Sequence, residues 1–159
     1  MNILDLVFLI VVANASPILA AYLLRDRFDF PFDAGIVLFD GQRIFGKSKT
    51  IRGIVAAVGL TTATAVIIGH PAICGLLIGA YAMLGDVASS FLKRRMQLPS
   101  SSQAPVLDHL PEALLPTMIL APNFDLATGG VATVVVAFIL TSMILSPILY
   151  SVGIRTQWY

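Results

Sequence analysis

The 159-residue sequence predicts an all-α integral membrane protein with about five transmembrane helices, and three observations carry that reading. Apolar residues make up 57% of the chain and charged residues only 12%, whereas an average soluble domain is about 25% charged. The mean hydropathy is +0.88. Five apolar runs recur between polar stretches, each near the roughly 20 residues that a helix needs to cross a hydrocarbon core of about 30 Å. Together they form a single domain over residues 1–159.

The first run, Ile3 to Leu24, lacks a basic region before its apolar core, and further spans follow it. It therefore reads as a permanent helix rather than a cleaved signal. Pro17, beside Asn14 and Ser16, marks either a local break or a packing kink within it. The second and third spans are expected at Ile51 to Gly69 and Ala72 to Leu92, joined by the His70-Pro71 turn. Gly75 and Gly79 form a GxxxG on the third span, a pattern that lets helix backbones approach closely. Cys74 is the sole cysteine, which excludes an internal disulfide framework. Pro105 to Ala121 is the fourth span. It carries Pro105, Pro111 and Pro116 together with Asp108, His109 and Glu112, so a broken or partly re-entrant helix is expected there, facing an internal site. Val131 to Val152 is the fifth, and Trp158 and Tyr159 read as interfacial anchors beyond it. The Pro99-Ser100-Ser101-Ser102 stretch reads as a loop tip.

The basic residues set an orientation. Arg25, Arg27, Arg43, Lys47, Lys49 and Arg52 fall in one inter-helical loop, and Lys93, Arg94 and Arg95 in another, leaving Arg155 alone near the C-terminus. The positive-inside bias puts both basic loops and the C-terminus in the cytoplasm and the N-terminus outside. The expected location is the cell membrane, with the polar residues gathered at the cytoplasmic face.

Asp86 is the most costly residue in the chain. It lies near the end of an apolar run, and a carboxylate at membrane depth costs roughly 2.5 kcal/mol or more on insertion scales. Such acids are usually paired and functional. Ser90 follows four residues later and shares its helical face, with Lys93 a further turn along. Asp108 and Glu112 are likewise four apart, so three carboxylates are expected at the cytoplasmic ends of the third and fourth spans. Hard oxygen donors beside phosphates are what Mg²⁺ uses in phosphoryl and nucleotidyl transfer, which makes Asp86, Asp108 and Glu112 candidate metal ligands. The alternative is that each acid forms an ion pair with a neighbouring base. His109 is a candidate hydrogen-bonding or acid–base group, and His70 is expected to be incidental. Asp26, Asp29, Asp33 and Asp40 read as parts of a solvated loop, Asp40 beside Gly41 being the exception.

Gly41-Gln42-Arg43-Ile44-Phe45-Gly46-Lys47-Ser48 satisfies the Walker A pattern, but its context argues against a P-loop fold. A loop of about 26 residues between two membrane spans cannot hold the parallel sheet and helices that such a domain needs. The chemistry survives rejection of the fold. Gly41 and Gly46 allow backbone amides to approach an anion, Lys47, Lys49 and Arg52 supply cations, and Ser48 and Thr50 add hydroxyls. Phosphate binding accounts for that spacing better than a topology signal alone.

These blocks resemble a known family. Asp40-Gly41-x-Arg43-x-x-Gly46-x-Ser48-Lys49-Thr50-x-Arg52-Gly53, then Gly85-Asp86-x-x-x-Ser90-Phe91-x-Lys93-Arg94-Arg95, then Leu107-Asp108, are similar to the CDP-archaeol synthase family of membrane cytidylyltransferases. Asn14 and Pro17 resemble its first-span signature, and the Ser90-Phe91-x-Lys93-Arg94 block is also similar to bacterial phosphatidate cytidylyltransferases. Two positions depart from the pattern. Pro111, followed by Glu112, stands where the family has a second aspartate, and His109 replaces a glutamine.

The resemblance implies Mg²⁺-dependent transfer of CMP from CTP to the phosphate of a membrane lipid, either an isoprenoid ether lipid or a diacyl phosphatidate. On that basis Asp40, Gly41, Gly46, Lys47, Ser48, Lys49, Thr50, Arg52 and Ser90 are expected to bind CTP. Asp86, Asp108, Lys93 and Arg94 are expected to be catalytic, and Asn14, Pro17 and Arg95 to meet the lipid. The partners are CTP, a lipid phosphate and the bilayer. No nucleic acid is expected, and a homo-oligomer is compatible with the sequence. The alternatives are a CTP-dependent lipid kinase and a non-enzymatic transporter or lipid-binding protein.

Overall fold

In the computed structural model, residues 1–99, 104–121 and 128–154 are described. Five helices follow one another: α1 (Ile3–Leu24), α2 (Ile51–Ile67), α3 (Ala72–Arg95), α4 (Pro105–Leu120) and α5 (Thr128–Ser151). They correspond one for one to the expected spans. Among the described residues there is no strand, only isolated bridges between Pro31 and Thr50 and between Val37 and Arg43. Arg155, Trp158, Tyr159 and the serines of 100–102 lie outside the described residues, as does 123–127.

Local chemistry fixes the helix ends. Asn2 and Asp5 form a reciprocal capping box at α1. Thr50 caps α2 by accepting from the Gly53 N–H at 3.3 Å. The far end of α2 closes with Gly69 at φ 87°, the His70 N–H reaching Ala65 O and the Gly69 N–H reaching Val66 O. This is a Schellman arrangement, which satisfies carbonyls the helix leaves open. His70 also holds Asp5 at 3.0 Å, tying the α2–α3 turn to the start of α1. Its ring was expected to be incidental and instead has a structural partner.

The core is assembled around α1, with Leu6, Leu9 and Ile10 packing against Ile78, Val134 and Phe138. α1 meets α2, α3 and α5, while α4 lies against α3 and α5. Outward faces remain apolar, as at Phe8, Leu60, Leu76, Leu140 and Ile144, so their natural surroundings are hydrocarbon. α1, α3 and the Gly129–Ser151 part of α5 are long and apolar enough to cross a membrane. α2, with 17 residues, is apolar but shorter, about 25 Å at the usual helical rise.

Two expectations are corrected. Lys93, Arg94 and Arg95 are not in a loop: α3 continues to Arg95, so these cations complete its last turn, where positive charge complements the helix dipole. α4 is one uninterrupted helix rather than a broken one. Pro105 opens it, where a missing N–H is harmless. Glu112, Ala113, Pro116, Thr117 and Leu120 form a buried stripe at helical spacing. Tertiary packing of that stripe maintains the helix against the hydrogen bonds its internal prolines remove.

Helix backbones approach closely at glycines, as the GxxxG implies. A Cβ on Gly75 would come within 2.6 Å of the Ala65 side chain, and one on Gly79 within 2.9 Å of the Val58 backbone. The tightest position is Gly85, where a Cβ would strike the Pro111 carbonyl and sit 2.7 Å from Glu112 N. Backbone cannot retreat as a flexible side chain can. Gly85→Ala is therefore expected to destabilise the protein by about 1–3 kcal/mol, read as a lowered thermal midpoint in detergent. Gly59→Ala, with nothing within 4 Å of the added methyl, is the control and is expected to be neutral or slightly stabilising.

Candidate active site

The loop between α1 and α2 is built on a carboxylate. Asp33, 3% exposed, accepts from the N–H groups of Gly35 (3.0 Å), Phe45 (3.2 Å) and Gly46 (3.0 Å). Arg43 closes the arrangement with two donors to the same carboxylate. Burial pushes the Asp33 carboxyl up, but Arg43 and the three amides outweigh it and bring its pKa down to about 2. The sequence suggests a solvated Asp33, and the fold buries it instead. The one available signal was Asp33-Ala34-Gly35, the spacing of an Asx turn; the pairing with Arg43 depends on the folded loop.

Cations from the helices brace the same loop. Arg95, at the end of α3, donates to Asp40 at 2.6 Å and to the Arg43 carbonyl at 2.8 Å. Burial raises the Asp40 carboxyl, but the Gln42 N–H and Arg95 hold it below the ordinary carboxylate range. Arg52, in the first turn of α2, donates to the carbonyls of Arg25 and Arg27 and pairs with Asp29 at 2.8 Å. Arg95 and Arg52 were expected at lipid and nucleotide phosphates; here they hold the loop to the ends of α3 and α1. Gly41 and Gly46 adopt φ 75° and 93°, left-handed turns that glycine accommodates.

Held in this way, the loop delivers Lys49 to α3. Lys49 Nζ lies 2.6 Å from both oxygens of Asp86, and each side chain is 20% exposed. Burial pushes the Lys49 ammonium down, but Asp86 and, more weakly, Glu112 and Asp108 raise it above its ordinary value. It stays protonated. A cavity of about 280 Å³ opens beside this pair, lined by Lys47, Ser48, Lys49, Thr50, Arg52 and Asp86, with Pro17, Gly53 and Met83 among the residues behind them. Lys47 and Ser48 are exposed at its edge.

Other expected site residues lie along α3 and α4 and do not line that cavity. Lys93 pairs with Asp108 at 2.5 Å, and Asp108 also accepts from the Ala104 N–H at 3.3 Å. Ser90 is buried on the face that carries Asp86 and Arg94. Arg94 is 5% exposed and donates to the Pro99 carbonyl at 2.6 Å, while its Nε is buried without a partner. No carboxylate faces it among the described residues. Glu112, 3% exposed, takes the Asn14 amide on both oxygens at 2.7 Å, with His109 Nδ1 at 3.6 Å.

Among the described residues, no three of His, Cys, Asp and Glu converge as a ready metal cage. The donors themselves still suit a hard cation. The Lys49 ammonium between the two Asp86 oxygens is a stand-in positive charge, and Asp108 is similarly satisfied by an ammonium.

Comparison with known proteins bears on the family. The family model described as "CarS-like: CDP-archaeol synthase" matches residues 60–159. The chain belongs to the CDP-archaeol synthase family. A CDP-archaeol synthase of Thermofilum pendens is 34% identical over 84% of this chain and 66% of its own length. Those of Staphylothermus marinus and Pyrobaculum arsenaticum are 34% and 31% identical, covering 67% and 87% of this chain and 61% and 81% of their own lengths. The chain thus spans less than two thirds of the Staphylothermus marinus relative. A solved structure described as "Structural insight into an intramembrane enzyme for archaeal membrane lipids biosynthesis" superposes with a TM-score of 0.76 at 29% identity, over 91% of this chain and 94% of that one.

In this family member the Asp33 hub gives a pH-dependent expectation. Its folded pKa is depressed, so its stabilising contribution is complete above the ordinary value of 3.8 and is lost as pH falls through about 2. Amide protection at Gly35, Phe45 and Gly46 should fall over that window. Asp33→Asn should lower the protection of those amides about tenfold or more at neutral pH and remove the acid transition. Hydrogen exchange checks both.

Proposed function

We propose that this protein transfers CMP from CTP to the phosphate of a membrane lipid, yielding a CDP-lipid and pyrophosphate. The observation that carries the reading is the Lys49–Asp86 contact, which brings a glycine- and hydroxyl-bearing cationic loop onto an acid inside a membrane helix. The names of the relatives support an isoprenoid ether lipid phosphate as the acceptor. Basic residues gathered at one end of the bundle favour a site that faces the cytoplasm, with the N-terminus outside.

In the reaction an anionic oxygen of the lipid phosphate attacks the α-phosphorus of CTP. The bond from that phosphorus to the bridging oxygen of the β-phosphate breaks, and pyrophosphate leaves with the bonding electrons. No protein nucleophile is required, because the attacking oxygen already carries negative charge. Lys47 and Lys49 grip the nucleotide phosphates, with Ser48 and Thr50 as hydroxyl donors. Arg94, which lacks a carboxylate partner among the described residues, is suited to the negative charge of the transferring group. Lys93 adds a second cation on the same end of α3.

Both lysine–carboxylate pairs act as placeholders. When a triphosphate arrives, Lys49 and Lys93 turn to phosphate oxygens, which frees Asp86 and Asp108. Those two residues would then hold Mg²⁺, whose bound charge neutralises the triphosphate and favours departure of pyrophosphate. The lateral approach of the lipid and the positioning of CTP supply the remainder, since orientation alone contributes several kcal/mol in such reactions, up to about 7–11.

The purified protein, given Mg²⁺ and an isoprenoid ether-lipid phosphate, should move label from base-labelled CTP into the lipid fraction. Appearance of γ-phosphate label there instead would identify a lipid kinase and overturn the proposal. A diacyl phosphatidate run in parallel reads tail selectivity. Asp86→Asn should reduce turnover at least about a hundredfold while membrane insertion is retained. Lys49→Ala should raise the KM for CTP more than the KM for lipid. An equal effect on both would leave the loop as a structural tether only.

A further inference from the structure

The three acids of the site are not alike. Asp86 and Asp108 each face a lysine, whereas Glu112 faces the Asn14 amide, with His109 Nδ1 at 3.6 Å. Asn14 Nδ2 stands 2.7 Å from both Glu112 oxygens, so the amide nitrogen is shared across the whole carboxylate. The bond joins α1 to α4 across 98 positions of sequence, and those helices otherwise touch little. Asn14 lies one turn before Pro17 on α1. That proline lacks the N–H that would reach Ala13, so the helix is weakest at this turn. Pro17 also lines the cavity, and its side chain comes within 3.2 Å of where a Cβ on Gly53 would sit.

We propose that Glu112 is a positioning residue: it grips Asn14 and thereby fixes the Pro17 turn of α1 as a wall of the phosphate cavity, without ligating a metal. For Glu112 to turn to a cation, the Asn14 amide would have to be released in a part-buried setting, where unpaired polar groups are costly. Asp86 and Asp108 face no such obstacle, because their lysine partners regain phosphate partners. The proposal rests on the cytidylyltransferase reading for its kinetic readout but not for its structural one.

The test compares E112Q, E112A, N14A and the double variant N14A/E112A in lipid nanodiscs, with CTP, Mg²⁺ and an isoprenoid ether-lipid phosphate. E112Q keeps an acceptor oxygen for Asn14 and should lose less than about threefold in kcat, with no change in the Mg²⁺ concentration for half-maximal rate. E112A and N14A should each lower kcat/KM for CTP about tenfold, and the double variant should be no worse than the poorer single one. A rise of about tenfold or more in the Mg²⁺ requirement of E112Q, absent in N14A, would make Glu112 a metal ligand and overturn the proposal. Additive losses in the double variant would do the same. Hydrogen exchange over residues 14–21 supplies the readout independent of turnover: E112A should loosen that turn and E112Q should not. If the wild-type chain makes no CDP-lipid, the functional reading fails while this comparison still decides the role of Glu112.

Discussion

A lysine from a connecting loop and an aspartate within a helix meet at 2.6 Å, and the charged end of the bundle depends on that meeting. Neither charge is stable alone at this depth. An isolated carboxylate in hydrocarbon costs several kcal/mol, and a lysine ammonium removed from water is penalised in the same way. Because both side chains keep some exposure, the pair itself contributes little net stability. Its importance lies in the cost of separating it, since either partner left alone is an uncompensated charge. An incoming triphosphate and a divalent cation are the groups that could take the two partners over without that penalty.

The cations divide by chemistry. Arg43, Arg52 and Arg95 use their several donors on carboxylates and backbone carbonyls, and together they hold the α1–α2 loop against the ends of α1 and α3. A planar guanidinium suits such multiple fixed contacts. Lys49 and Lys93 reach Asp86 and Asp108 through flexible stems, an arrangement that can exchange partners. Arg94 differs from those three arginines in being buried with no acid facing it among the described residues; its Nε, like that of Arg95, lacks a partner. The arginines thus fix the loop in place, while the lysine contacts are of the kind that can exchange partners.

The helices were legible because apolar runs and charged punctuation record the same boundary that the hydrocarbon imposes. Ile3, Leu24, Ile51, Ala72 and Pro105 all mark ends that the sequence announces. The integrity of α4 was not legible, because Pro111 and Pro116 are local signals, whereas the stripe from Glu112 to Leu120 acts through neighbours distant in sequence. The same reason hid the Asp33 hub and the bracing roles of Arg52 and Arg95. Charge type and spacing pointed to phosphate chemistry in the loop, but which cation faces which acid is decided only when α3 and the loop pack together. Asp86 and Lys49 were singled out separately by burial and by motif, and the fold joins them. Glu112 was identified as unusual from its position on α4; its partner Asn14 lies on another helix.

The measurement that bears most directly on partner exchange is difference infrared spectroscopy of the protein in lipid, before and after CTP and Mg²⁺ are added together. An Asp86-dependent shift in the ionised carboxylate bands is expected, absent in Asp86→Asn, as the ammonium partner is replaced. Bands from Asp86 that stay unchanged while nucleotide binds and turnover proceeds would contradict the exchange and leave the Lys49–Asp86 pair as a fixed structural clasp.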